Sequence, residues 1–317
     1  APASVVQSYR RTSFTGITKR QEAREGNSKV AGFIGEESGQ DESPIDMSLL
    51  GVGAHQYAAN DVPTGLPEGV DMPLARVPGG TYFGRVMHKV YEVVDTSKDL
   101  REEVTRAIDI HASSALLRPF RDQLIEGVIA SYRTPLGMPF NGKALADIDP
   151  SDRLSELDFE MSLPNLSQGV LASDIGKLLK DSLETNDLLY AYADTLSDSS
   201  FDIPLAGLLN GSIDAVIRVH TEDGSPRLFI TDYKTNRLDG DEDVSLIEAY
   251  APERLVAAME HHHYPLQALL YGTAIYRMLR WRQPALNADE VIAGVAYFFV
   301  RGMVGVESPK DAHGMPY

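Results

Sequence analysis

Two aspartates and a lysine stand close together in this 317-residue chain and could do chemistry as a set. Asp232 and Lys234 are two residues apart in Leu-Phe-Ile-Thr-Asp-Tyr-Lys-Thr-Asn, which ends at Asn236. Asp214 lies upstream in Gly-Ser-Ile-Asp-Ala-Val-Ile-Arg-Val-His, which ends at His220. In an extended strand, residues two apart point to the same face, so Asp232 and Lys234 would share one. Asp214, near the start of a partner strand, could reach that face. Two carboxylates and an ammonium group converging in one cleft would suit a hard divalent cation with a water or oxyanion beside it.

The flanking sequence supplies the elements that such a cluster needs. Ile213 to Val219 and Leu228 to Lys234 are rich in β-branched residues, and Thr221 to Pro226 between them has turn composition. This predicts an antiparallel hairpin. A helix is predicted from Thr81 or Gly84 to Val94, with Val86, Val90, Val93 and Val94 at helical spacing. His88 falls between its apolar rows, as a hydrogen-bonded core histidine or as a ligand. Arg153 to Leu163 alternates from Leu157 onward and predicts a strand, with Glu156 on its acidic side. That glutamate is either solvated surface or the edge of a metal site. Pro265 to Trp281 predicts a long helix with Gln267 and Tyr271 on one face at i and i+4. Val291 to Val300 is continuously apolar and reads as a central or buried strand.

Further helices are predicted over Leu100 to Ile110, capped by Ser97, over Ser113 to Ser131, over Ala172 to Ser182, capped by Ser173, and over Asp187 to Leu196. Residues 1–75 read as largely irregular, apart from a short ordered element at Arg10 to Ile17. Residues 76–317 would then form one domain, with helical insertions at about 97–131 and 172–196. The chain starts Ala-Pro-Ala without Met and is expected to be a piece of a longer one.

Composition removes several classes of function. There is no cysteine, so disulfides, iron–sulfur clusters and cysteine nucleophiles are excluded, and a cytoplasmic location is expected. No apolar run reaches the ~18–20 residues of a membrane span. No Gly-x-x-x-x-Gly-Lys-Ser/Thr run supports an ATP-driven motor. The net charge of −17 argues against a stand-alone nucleic-acid binder, unless the acidic groups lie away from the cleft or a partner delivers the substrate.

Five further stretches sharpen the hairpin pattern. Asp214 followed by Asp-Tyr-Lys at 232–234 resembles the signature of the PD-(D/E)XK nucleases. Tyr264-Pro-Leu-Gln-Ala-Leu-Leu-Tyr271 resembles the Gln-xxx-Tyr helix of RecB-type members. Gly80-Thr-Tyr-Phe-Gly-Arg-Val-Met-His88 resembles the helix that carries their metal-binding histidine. Leu154 to Phe159, Arg11 to Gly16 and Val295 to Gly302 resemble their first core strand, their opening segment and their last core strand. All come in the family's order and cover most of the chain, which is therefore similar to the C-terminal nuclease domain of RecB subunits of exodeoxyribonuclease V.

The resemblance implies an α/β fold: a restriction-endonuclease-like mixed β-sheet flanked by helices, with helical insertions. It implies hydrolysis of DNA phosphodiesters in the repair of double-strand ends, with one or two Mg²⁺ ions per site. Asp214, Asp232, His88 and the backbone carbonyl of Tyr233 would be the ligands, and Asp214, Asp232 and Lys234 the catalytic set. Gln267 and Tyr271 would hold DNA or brace the site, with Glu156 a weaker candidate. Expected partners are single-stranded DNA fed from a duplex end, the remainder of a RecB helicase chain, and RecC-like and RecD-like subunits. The alternative is an inactive module of the same fold that binds DNA or partner subunits. Such modules lose their Asp and Lys residues, whereas this sequence retains Asp214, Asp232, Lys234 and His88.

Overall fold

The computed structural model describes residues 11–24, 72–163, 169–185, 187, 189–238 and 247–308. The polar, acidic stretch Gly26 to Pro44, whose composition reads as a loop, lies outside the described residues, as does all but Leu238 of the acidic loop that composition gives over Leu238 to Ser245. The chain divides into two compact units, each built from three stretches of sequence. One unit takes the described parts of Ala1–Asp41, Asp158–Ser212 and Met259–Arg277. The other takes those of Glu42–Leu157, Ile213–Ala258 and Met278–Tyr317.

In chain order the main elements are β1 (Arg11–Thr12), α1 (Phe14–Arg24), α2 (Thr81–Val93), α3 (Leu100–His111), α4 (Arg121–Arg133) and β2 (Arg153–Ser162). They continue with α5 (Ala172–Ser182), α6 (Tyr190–Leu196), β3 (Leu208–His220), β4 (Pro226–Lys234), α7 (Pro252–His261), α8 (Tyr264–Arg282), α9 (Ala288–Val291) and β5 (Ile292–Phe299). The five strands form one mixed sheet in the order β1-β3-β4-β5, with β2 also paired to β3. β3 and β4 are antiparallel, Ala215 facing Thr231 and His220 facing Pro226. Their turn is held by the Thr221 N–H donating to Ser225 O at 3.0 Å and by the Ser225 N–H donating to Asp223 Oδ1 at 3.1 Å. Gly224 sits there at φ 81°, in the left-handed region that glycine enters without strain.

The second unit packs α2, α3 and α4 over the odd-numbered residues of β3. Val86, Met87, Val90, Tyr91, Val104, Ile108, Leu124 and Val128 are buried with Ala215, Ile217 and Tyr233. The first unit has its own core, in which Phe14 and Ile17 of α1 meet Leu196, Phe201, Leu209, Leu266 and Leu270. Among the described residues no helix is long and apolar enough to cross a membrane.

Several expectations change. β5 lies at the end of the sheet beside β4 and parallel to it, with most of its residues half-buried. Its apolar run therefore does not mark a central place. The helix expected from Ser113 begins at Arg121, after a 3-10 turn at Arg118–Phe120 that contains Pro119. α6 likewise starts at Tyr190. The cap of α3 is Asp99, whose carboxylate accepts the Glu102 N–H, while Ser97 donates to Asp95 at 2.6 Å. Ser173 lies inside α5, where its hydroxyl donates to Asp202 at 2.5 Å. α1 extends the short element expected at Arg10 to Ile17.

Candidate active site

β4 carries Asp232 and Lys234 on one face and Tyr233 on the other, as strand alternation requires. Both charged residues are 3% exposed, and Lys234 Nζ lies 2.9 Å from Asp232 Oδ2. The Lys234 ammonium also sits 5.4 Å from the centre of the Tyr297 ring on β5, where Tyr297 is the register partner of Asp232.

Asp214 is fixed from two sides. Its Oδ2 accepts the backbone N–H of Tyr233 at 2.7 Å, and its Oδ1 lies 3.0 Å from His88 Nδ1. The carboxylate therefore takes a hydrogen bond from the strand that holds the other two groups, while α2 delivers the imidazole. Burial works against ionisation of Asp214. The His88 charge and hydrogen bond, the Tyr233 N–H and Lys234 outweigh it and hold the carboxyl below the usual range. Asp232 goes the other way: burial and the Asp214 charge push its carboxyl up, despite Lys234 and His88. The structure thus brings His88, Asp214, Asp232 and Lys234 together as two linked pairs. Among the described residues no three His, Asp or Glu side chains close into a ready-made metal cage.

The donor set nevertheless fits a hard cation: two carboxylates and an imidazole, with the carboxylates close enough to disturb each other's ionisation. Adjacent ligands of an octahedral ion bound at ~2.0–2.1 Å stand about 3 Å apart. The 3.0 Å between His88 Nδ1 and Asp214 Oδ1 matches that edge as well as it matches a hydrogen bond.

Two supports emerge that the sequence did not single out. Behind β4 the Tyr233 ring stacks on Tyr91 at 4.2 Å, and Tyr91 on Tyr132 of α4 at 5.4 Å. Arg153, at the start of β2, donates to Tyr132 Oη at 3.1 Å and also to the Tyr91 carbonyl. Burial raises the pKa of all three phenols, so the stack is neutral at working pH. It ties the helix bearing His88 to the strand bearing Asp232. The second support is Arg301, just past β5 and 2% exposed. Its Nε donates to Thr235 O at 3.0 Å, its Nη1 to Leu74 O and Val77 O at 2.5 and 2.9 Å, and its Nη2 to Pro78 O at 3.3 Å. Its guanidinium lies 4.3 Å from the Phe83 ring centre on α2. One side chain therefore holds both the segment leading into α2 and the residue that follows Lys234. An arginine closing an apolar run is the only sequence signal for it.

The remaining candidates are placed as follows. Glu156 is exposed on β2 with φ 52°, and its charge helps to raise the pKa of Lys89, after the dominant hydrogen bond that Lys89 donates to Glu92. Gln267 and Tyr271 are both buried on α8, with Gln267 Nε2 donating to Tyr271 Oη at 3.2 Å and the Tyr271 ring edge-on to Phe159 at 5.6 Å.

A mixed sheet flanked by helices, with Asp214 on one strand and Asp232-Tyr-Lys234 on its antiparallel neighbour, is the restriction-endonuclease-like α/β fold with its PD-(D/E)XK pattern. Curated relatives make the assignment narrower. The chain is 38% identical over 264 residues to "RecBCD enzyme subunit RecB" of Mycolicibacterium smegmatis, covering 80% of this chain and 24% of that protein. It is 40% identical over 254 residues to the subunit of the same name from Mycobacterium tuberculosis H37Rv (76% and 22%), and 29% identical over 235 residues to that of Escherichia coli K12 (74% and 18%). The chain belongs to the RecB family and spans about a quarter or less of the length of these relatives. No protein-family model matches it.

Proposed function

We propose that this chain is the Mg²⁺-dependent DNA nuclease part of a RecB-type helicase–nuclease that processes double-strand ends for recombinational repair. The observation that carries the reading is the part-buried pairing of Asp214 with His88 beside the buried pairing of Asp232 with Lys234, the two aspartates on adjoining strands, in a homologue of RecB. Mg²⁺ held by Asp214, Asp232, His88 and the Tyr233 carbonyl would supply Lewis-acid activation of water and neutralise phosphate charge. Lys234, buried beside Asp232, orients the attacking water or stabilises charge growing on the phosphate. His88 and the Tyr233 N–H hold Asp214 ionised in its working orientation. Gln267 and Tyr271, buried and bonded to each other, suit bracing of α8 better than a grip on the DNA backbone. The rest of the RecB chain and RecC-like and RecD-like subunits would feed a single strand to this acidic domain, raising its local concentration by tethering.

The test is cleavage of end-labelled linear DNA by this chain with Mg²⁺ and with EDTA, for the wild type and for Asp214→Asn and Asp232→Asn. Asn keeps the side-chain volume, so circular dichroism should stay unchanged while cleavage is lost. Wild-type cleavage by either folded variant would overturn the ligand assignment. Absence of Mg²⁺-dependent cleavage by the wild type, with DNA binding intact, would favour the inactive module.

A further inference from the structure

The chain has one tryptophan, and the fold leaves it outside. Trp281, in the last turn of α8, is 74% exposed. The Arg282 guanidinium lies 4.3 Å from the centre of its ring. Arg280 is exposed beside it, and residues 280–287 are all at the surface. No Asp or Glu occurs between Glu260 and Asp289, although the chain carries 46 of them, and Arg277, Arg280 and Arg282 all fall in that interval. Arginines at a helix C-terminus answer the helix dipole. The dipole gives no reason for a large apolar ring to stay in water beside them.

Charge selects the occupant. A chain at −17 repels a polyanion, but each surface charge acts over only about 8–10 Å at physiological salt, so nucleic acid is held where the local charge is positive. An aromatic face next to guanidinium groups is the combination that binds single strands without reading their sequence. The chain just beyond the patch stands apart from the carboxylates. Ala285, Leu286 and Asn287 line a groove with the β3–β4 turn. That turn lies six residues along β4 from Asp232, about 20 Å at ~3.3 Å per residue. Glu222, Asp223 and Glu290 make the groove itself acidic, so a strand would pass over Trp281 and the arginines and not into the groove.

We propose that Trp281, flanked by Arg280 and Arg282, is a stacking site for an unpaired base of the DNA strand being cut, away from the cleaved bond. The proposal rests on the nuclease reading above and extends it to a second contact on the same strand.

Because Trp281 is the only tryptophan, its fluorescence reports on this site alone. The full 317-residue chain is titrated in EDTA with a twelve-residue and with a three-residue oligodeoxythymidylate. Saturable quenching by the longer one and none by the shorter one at the same concentration is expected. With Mg²⁺, Trp281→Ala should lower kcat/KM on the longer oligonucleotide by about 5–150-fold, the range of one stacked base, and leave cleavage of the shorter one unchanged. Arg280→Gln and Arg282→Gln should each flatten the salt dependence of binding by about 0.7 in log–log slope. No quenching by the longer strand, or equal cleavage of it by Trp281→Ala, overturns the proposal. So does quenching that appears only when partner subunits assemble, which would make the patch a protein interface. If the wild type cuts neither oligonucleotide, the nuclease reading falls, and the quenching titration still decides whether Trp281 binds the strand.

Discussion

Replacing Arg301 with methionine should destabilise the domain far more than a residue outside the chemistry normally does. The substitution keeps most of the side-chain length but removes every donor. The carbonyls of Leu74, Val77, Pro78 and Thr235 then lose their guanidinium partner, and the Phe83 ring loses its cation. Each stranded buried acceptor costs about 1–3 kcal/mol. The sum is not realised, because burying the guanidinium itself costs several kcal/mol, and that cost disappears with it. Breaking a buried charged network nets about 3–5 kcal/mol, a large share of the ~5–15 kcal/mol that holds a typical domain. At about 3 kcal/mol per molar urea, the midpoint should fall by roughly 1–1.7 M. Arg301→Lys keeps the charge, but one nitrogen cannot span Thr235 and the Leu74 to Pro78 segment, so it should fall between wild type and Arg301→Met. Urea unfolding followed by circular dichroism gives the stability, and calorimetric Mg²⁺ titration of the folded variants shows whether the site still binds the ion. A loss below about 1 kcal/mol with Mg²⁺ affinity unchanged would refute the idea that Arg301 clamps the two arms of the site.

Three other outcomes are expected. Lys234→Ala should lower turnover by ~10²–10³ while Mg²⁺ binding is kept or tightened, because the lost charge repels the ion; calorimetry showing no binding would make Lys234 structural. Gly302→Ala should cost about 1–3 kcal/mol, because a Cβ there would lie 2.6 Å from Tyr250 Cβ, and Tyr250 in turn donates its hydroxyl to Asn236 O; an unchanged unfolding midpoint would contradict that packing. Binding of this chain to long DNA should be weak and depend shallowly on salt. A tight binder would lose ~10³–10⁵ in affinity between 50 and 200 mM salt, and such a loss, with cleavage as fast as that of an assembled complex, would disprove delivery by partners.

The hairpin was legible because β-branched runs and a polar turn are local signals, and Asp232 and Lys234 followed from alternation alone. α2 was legible from its valine spacing, and His88 does reach Asp214. What could not be read depends on neighbours distant in sequence. Whether Ile292–Phe299 is central or at an edge is decided by which strands lie beside it, and an apolar run looks the same in both places. Ser97 and Asp99 are both good caps, and the choice between them turns on where the chain leaves α2. The polar sequence of α1 shows little apolar periodicity, and Phe14 and Ile17 gain their meaning only from the core they enter. The pairing of Asp214 with the Tyr233 N–H needed the strands in register before it could be seen.

That register gives the β3–β4 turn an importance that its composition hides. Thr221 to Ser225 lies about 20 Å from the carboxylates and touches no reacting group. Yet a strand shifted by one residue turns every side chain to the opposite face. Deleting a single residue from the turn would swing Asp232 towards Tyr91 and set a phenol where the carboxylate belongs. The heritable constraint on this loop is therefore its length: point substitutions that spare Gly224 should pass with little effect, while one-codon insertions and deletions should abolish the proposed cleavage.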